Sequence, residues 1–218
     1  MNQKKLQKQI EKMNLDNPLE FTRKLVAPLC KKKLNEHIIN CKECNTCKNY
    51  NKKTAIGNPN ANYFTINDNA TDDENINEFL NSILTAVDID LNNVFIINSI
   101  SCILKRNFNN DSMIRLPNRQ EMNNCKYFVE YALDFVKPRV IICMGTTSLA
   151  MFKKDMSIED TRGTFIEING YKTMVTRSAK DIFTMSEIYS EEEAQEYVDE
   201  LVQDVSKAKE YIDLLRRK

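Results

Sequence analysis

The chain reads as an α/β sandwich built on a largely parallel sheet. Two compact apolar runs, VFII (94–97) and RVIICM (139–144), have the near-continuous hydrophobic character of strands buried on both faces. Amphipathic helical patterns stand between and around them, and strands alternating with helices favour a parallel sheet. A length of 218 residues suits one domain with a sizeable core, or a domain with helical additions.

From the N-terminus, residues 2–14 and 18–34 carry helical patterns, with Leu6, Ile10 and Met13 on one face and Phe21, Leu25 and Leu29 on the next. ANYFTI (61–66) suits a short strand. Residues 74–87 place Ile76, Phe79, Leu80, Ile83, Leu84 and Val87 at helical spacing. The stretch 103–116 is polar and reads as irregular. Residues 118–135 are helical with Cys125, Phe128, Val129, Leu133 and Phe135 inward, and Pro138 stops them. Gly145 opens a helix to about Phe152. TFIEI (164–168), a turn at Asn169–Gly170 and YKTMV (171–175) predict a hairpin or paired strands. Residues 190–217 form a long charged helix with Ala194, Tyr197, Leu201, Val205, Ala208, Tyr211 and Leu215 along one side. Ligands of open α/β sheets sit beyond the carboxyl ends of strands, so the loops after Ile66, Ile97 and Val175 matter most.

Lys and Arg total 31, as do Asp and Glu, so no overall charge bias points to nucleic acid. The distribution is uneven: residues 1–53 hold 13 Lys/Arg against 5 Asp/Glu, and 181–218 hold 5 against 11. A basic N-terminal region suits phosphates, and a solvated helical surface explains it equally well. Seven Cys is an odd number, and neither a secretory signal nor an apolar span of membrane length is read. The expectation is a cytoplasmic, intracellular protein with reduced thiols and no membrane association.

Cys41 and Cys44 form a C-x-x-C, and Cys102 and Cys125 follow far downstream. Thiolates in such positions hold zinc or an iron–sulfur cluster, which need soft ligands gathered by the fold. Ordinary buried thiols are the plain alternative. Cys47, three after Cys44, is an alternative to Cys41 in the close pair. Cys143, mid-strand, and Cys30 read as packing.

Five segments in order resemble the uracil-DNA glycosylase superfamily, specifically its iron–sulfur, family 4-like branch, over about 41–211. They are GNPNA (57–61), VFIINSISC (94–102), LPNRQEMNNC (116–125), KPRVIICMG (137–145), and TRG (161–163) followed by Thr176. The resemblance implies a three-layer sandwich with a central, mostly parallel four-stranded sheet. It divides the chain into a helical extension at 1–40 and a glycosylase-like domain at 41–218 that ends in the long helix. It also implies a [4Fe-4S] cluster on Cys41, Cys44, Cys102 and Cys125, with structural zinc as the alternative that spacing alone leaves open. The pair 41/44 fits the distance to Gly57 with the smaller adjustment. The interval from Cys102 to Cys125 is longer than the family's, so the loop at 103–116 is read as expanded.

The family's catalytic motifs are degenerate here. Its G-E-x-P-G-type loop aligns as NDNAT (67–71), without glycine or proline and with Asp68 as the one acid. The segment with the stacking aromatic reads as deleted. The H-P motif aligns within TRSAK (176–180), so Ser178 stands for the His and Ala179 for the Pro. The single histidine, His37, precedes the cluster. Loss of one preorganised donor typically costs about 2.7–4 kcal/mol of barrier, so several losses remove most catalysis. Asn98 survives as the base-recognition amide, a position where an Asn also caps turns. Arg106, Arg115, Arg177 and Lys180 are candidate DNA contacts, with loop solvation as the simpler account of any one.

The expectation is therefore a glycosylase-fold iron–sulfur protein that has lost base excision. It would act as a DNA- or partner-binding accessory in DNA metabolism, viral or mobile-element DNA included. An active glycosylase using Asp68 and Asn98 is one alternative. A protein-interaction module docking a partner through the helices at 1–34 and 190–217 is the other.

Overall fold

The structure, a computed structural model, describes residues 18–44, 51–108, 111–185 and 188–217, with backbone alone for 18–21 and 105–114. The helix expected at 2–14 lies outside them. In chain order the elements are α1 (Pro18–Asn40), β1 (Ile56–Gly57), β2 (Tyr63–Asn69), α2 (Glu74–Ala86), β3 (Val94–Ile100), β4 (Lys105–Phe108) and β5 (Asp111–Ile114). They continue with α3 (Arg119–Val136), β6 (Val140–Met144), α4 (Thr146–Phe152), α5 (Ile158–Thr161), β7 (Phe165–Ile168), β8 (Tyr171–Thr176), α6 (Ala179–Met185) and α7 (Glu191–Arg216).

The main sheet has the order β1-β3-β2-β6-β8-β7. Its four central strands are parallel: β2 pairs with β3 from Tyr63↔Val94 to Asn69↔Ile100, β2 pairs with β6, and β6 pairs with β8. Antiparallel β1 and β7 close the two edges. The expected four-stranded parallel centre is present, widened to six strands by these short edges, which leave no long open strand edge.

Two apolar clusters fill the two faces. Phe64, Ile66, Phe95, Ile97 and Ile141 pack with α1, α3 and Met151 of α4 on one side. Tyr63, Val94, Ile96, Val140 and Ile142 pack with α2, α6 and α7 on the other. Successive strand residues point to opposite faces, so two clusters on alternating positions make three layers. Fully buried β6, with all five residues inaccessible, is the strand whose continuous apolar run the sequence displays most clearly.

Two readings are corrected. First, 103–116 is not irregular: β4 and β5 form a two-stranded hairpin from Lys105↔Ile114 to Phe108↔Asp111. Strands of four residues are too short to show a clear hydrophobic alternation, although two asparagines between them are a turn signal. Second, α1 runs to Asn40 and buries Ala27, Leu34 and Ile38, while Leu25 and Leu29 are exposed. It continues through Pro28, which has no N–H for the carbonyl of Lys24; Asn60 Nδ2 donates to that oxygen at 3.4 Å. The long charged helix expected at 190–217 is present as α7, and along its apolar side it also buries a charge, Asp204, among Ala194, Leu201, Val205, Ala208 and Ile212.

Candidate functional site

From β2 the chain moves to β3 on one side, and from β6 it moves to β8 on the other. This makes a switch point beyond the carboxyl ends of β2 and β6, the place where open α/β sheets form a crevice. Here β2 turns polar as Asn67, Asp68 and Asn69, and β6 runs through Gly145 into α4.

Asp68 is 8 % exposed, and its Oδ1 accepts from the Thr147 backbone N–H at 3.1 Å. Gly145, the N-cap of α4, offers no side chain, so Asp68 supplies that helix end with its acceptor from a neighbouring strand. Gly145 has φ +89°, and a Cβ there would lie 2.7 Å from Asp68 Oδ2 and 2.8 Å from Ser178 Cβ. Only glycine lets the three segments meet. Burial pushes the Asp68 carboxyl up to about 6; hydrogen bonding to Thr147 opposes the rise, Asp181 adds to it and Lys180 reduces it. Ser178 is buried, and its Oγ accepts from the Asp181 backbone N–H at 3.3 Å, which starts α6. Asn98 is half-buried and sits opposite Asn67 in the β2–β3 register.

Asp68, Asn98, Ser178 and Lys180, all expected from the sequence, line one cavity of about 20 Å³. An adjoining cavity of about 70 Å³ shares Asn67, Thr71, Asn77 and Asn98 with it. The first has space for about one water, and both are far below the few hundred Å³ of an ordinary ligand site. The Oδ1 atoms of Asn67 and Asn69 are buried without a protein partner and suit ordered water. These amides, with Asn77 and Thr71, were missed from sequence. The signal was the polar switch at the end of β2, but which amides share a wall depends on register and on α2.

The candidate DNA-contacting arginines lie differently. Arg177 pairs with Glu200 at 3.1 Å and Glu159 at 3.8 Å, and stacks 5.1 Å over the ring of Tyr197. Arg115 makes a two-pronged pair with Glu121 at 2.8 and 2.6 Å, tying the hairpin to the capping box of α3. Arg106 lies on β4, where the backbone alone is described.

The cysteines come from three parts of the fold: Cys41 and Cys44 follow α1, Cys102 follows β3 and Cys125 lies in α3. Cys44, Cys102 and Cys125 are buried in one apolar cluster, with half-buried Cys41 packed against it. Asn124 Nδ2 donates to Cys44 Sγ at 3.4 Å. The donor set is soft, buried and gathered from distant segments, as a thiolate-bound metal centre requires. Among the described residues, no three His, Cys, Asp or Glu side chains close around one point. Cys47 lies outside the described residues. Cys143 is fully buried in β6, its Sγ donating to Ser148 Oγ at 3.3 Å, and burial pushes its thiol up to about 12. That is the behaviour of an inert core thiol.

A three-layer α/β sandwich with a four-stranded parallel centre and an acid at its switch point defines a class of proteins with the site at the carboxyl edge. Residues 59–205 match the Uracil DNA glycosylase superfamily, and the chain belongs to it. The match includes Cys102 and Cys125 and begins after Cys41 and Cys44. No curated protein matches the chain. No helix among the described residues is long and apolar enough to cross a membrane.

Proposed function

We propose that the protein is a glycosylase-fold scaffold that has lost base excision and serves as a DNA- or partner-binding accessory in DNA metabolism. The observation that carries this reading is the cleft itself. Its four expected residues surround room for about one water, and the single acid is committed to the end of α4. Excision requires a pocket that takes a flipped base, and donors aimed at the charge that develops as the glycosidic bond breaks. Ser178 offers a neutral hydroxyl already turned to Asp181 N–H, and the chain's one histidine lies on α1. The same proposal places a [4Fe-4S] cluster on Cys41, Cys44, Cys102 and Cys125, or zinc on the same thiolates. Bound there, the group would cross-link three segments rather than take part in bond cleavage.

One observation favours the alternative of an active glycosylase: Asp68 is buried, its carboxyl is pushed up to about 6, and it shares its cleft with Asn98. Release of free uracil from a uracil-containing single strand separates the two. The expected result is no release above background from well-folded protein. Turnover like that of an ordinary glycosylase, abolished by Asp68→Asn and Asn98→Ala, would overturn the scaffold reading.

A further inference from the structure

A space much larger than the carboxyl-edge cleft lies beside α1 and α3. A groove of about 610 Å³ opens between the end of α1 and the first turns of α3, walled by His37, Asn40, Lys42, Asn124, Tyr127 and Phe128. A second groove of about 530 Å³ shares Asn40, Cys41 and Lys42 with it and adds Lys52. The two grooves border the same segment, 40–42, and are named together as the channel. Each groove has the volume of an ordinary ligand site, which the carboxyl-edge cleft does not.

The channel presents an aromatic platform. Tyr127 is 56 % exposed although it is a large ring. Tyr131 lies nearly parallel to it at 6.1 Å and 20°, and Phe128 meets it edge-on at 5.9 Å. Tyr131 is itself braced edge-on by Phe135 at 5.7 Å. Tyr127 is therefore held in place yet left open to the groove. Asn124 Nδ2 donates to the Glu43 carbonyl at 3.2 Å, which fixes the facing wall.

The charge is complementary to phosphate. Lys42 lines both grooves, and Lys52 stands over the end of α1 with its Nζ donating to the Ile39 carbonyl at 3.1 Å. Glu43 is the one acid among the described lining residues. The first 53 residues, which supply these cations, carry 13 Lys/Arg against 5 Asp/Glu. A braced aromatic in a cationic, amide-lined groove is the combination that holds single strands without sequence preference. Bases stack on the ring while phosphates meet the cations.

We propose that this channel binds single-stranded nucleic acid, one base stacking on Tyr127 and the backbone passing Lys42 and Lys52. The proposal rests on the reading of the chain as DNA-binding and gives it a second contact surface, on the cysteine side of the fold. The chain has no Trp, so Tyr127→Trp makes one reporter at the platform. Titrated with a short oligothymidylate, its emission should be quenched with the same midpoint as the anisotropy of a labelled oligonucleotide. Tyr127→Ala should weaken binding about 5- to 100-fold, the worth of one base–aromatic stack, and Tyr127→Phe should leave it nearly unchanged. Lys42→Ala with Lys52→Ala should lower the salt slope by about 1.4, roughly 0.7 for each phosphate contact on a single strand. Binding by wild type with no quenching and no loss in Tyr127→Ala overturns the channel and leaves DNA binding elsewhere on the fold. No binding of either single strand or duplex overturns both the channel and the DNA-binding reading.

Discussion

Asp68 shows what the switch point demands of one side chain. Its carboxyl titrates near 6 because burial disfavours the anion more than its hydrogen bonds and Lys180 favour it. Between the ordinary carboxylate range and pH 6 the folded protein holds this proton and the unfolded chain does not. Stability from this group is therefore full at low pH, falls as pH rises through 6, and stays reduced above it. The loss is about 2–3 kcal/mol. Asp68→Asn removes the ionisation and keeps an oxygen for Thr147 N–H. It should stabilise the protein by about 2 kcal/mol at pH 8 and by almost nothing at pH 3.5, read from denaturant midpoints. Destabilisation at pH 8 that shrinks at pH 3.5 would show instead that the carboxylate is favoured as a charged cap. Asp68, Asn98, Ser178 and Lys180 were legible through the family resemblance, whose motifs fall in the last residues of β2 and β3 and in the segment after β8. Asn69 and Asn77 were not, because their place in the cleft comes from register and from the packing of α2.

At the scale of elements, α7 is fastened by charge as well as by its apolar stripe. Asp204 is 1 % exposed and accepts from Thr176 Oγ1 at 3.0 Å, with Arg162 Nη2 at 3.3 Å and Lys207 Nζ at 3.9 Å. Gly163, at φ +71°, makes room for it, since a Cβ there would stand 2.7 Å from Asp204 Oδ1. Glu200, one turn earlier, holds both Arg162 at 3.2 Å and Arg177 at 3.1 Å. The helix thus clamps the segment at Arg162–Gly163 and the end of β8 that leads into Ser178. Burial raises the Asp204 carboxyl while Thr176, Arg162 and Lys207 oppose it, so the pair is retained at a cost in desolvation. Asp204→Ala should destabilise by about 3 kcal/mol, because it leaves a largely buried guanidinium with one partner fewer. Arg162→Ala combined with Asp204→Ala should cost clearly less than the two singles together; additive losses in a thermodynamic cycle would show that the pair does not interact. The helix itself was plain from its 3.6-residue period. Its buried acid was not, since a charge inside an apolar stripe looks like a break in the pattern. Likewise α5, α6 and the β4–β5 hairpin are too short to carry a period, and tertiary contacts decide them.

Over the whole molecule, the sheet and its helices were legible because burial on two faces writes long apolar runs, whereas the cysteines say only that soft ligands are available. Cys41 and Cys44 follow the added helix α1, Cys102 ends the β3 segment and Cys125 sits in α3, so a shared group would join the N-terminal addition to the core. Cross-linking of this kind couples folding to occupancy, because the site does not exist in the unfolded chain. Protein purified without oxygen should be brown, with iron and sulfide in cluster stoichiometry. Cys102→Ser and Cys125→Ser should bleach it and lower the melting temperature together. Cys143→Ser should keep the colour, since that thiol faces Ser148 inside β6. Comparing Cys41→Ser with Cys47→Ser identifies the outer ligand of the close pair: only the true ligand should bleach. Colourless protein with stoichiometric zinc would keep the site and replace the cluster. Colourless protein with neither metal, and with unchanged stability in Cys102→Ser, would reduce the four thiols to core packing.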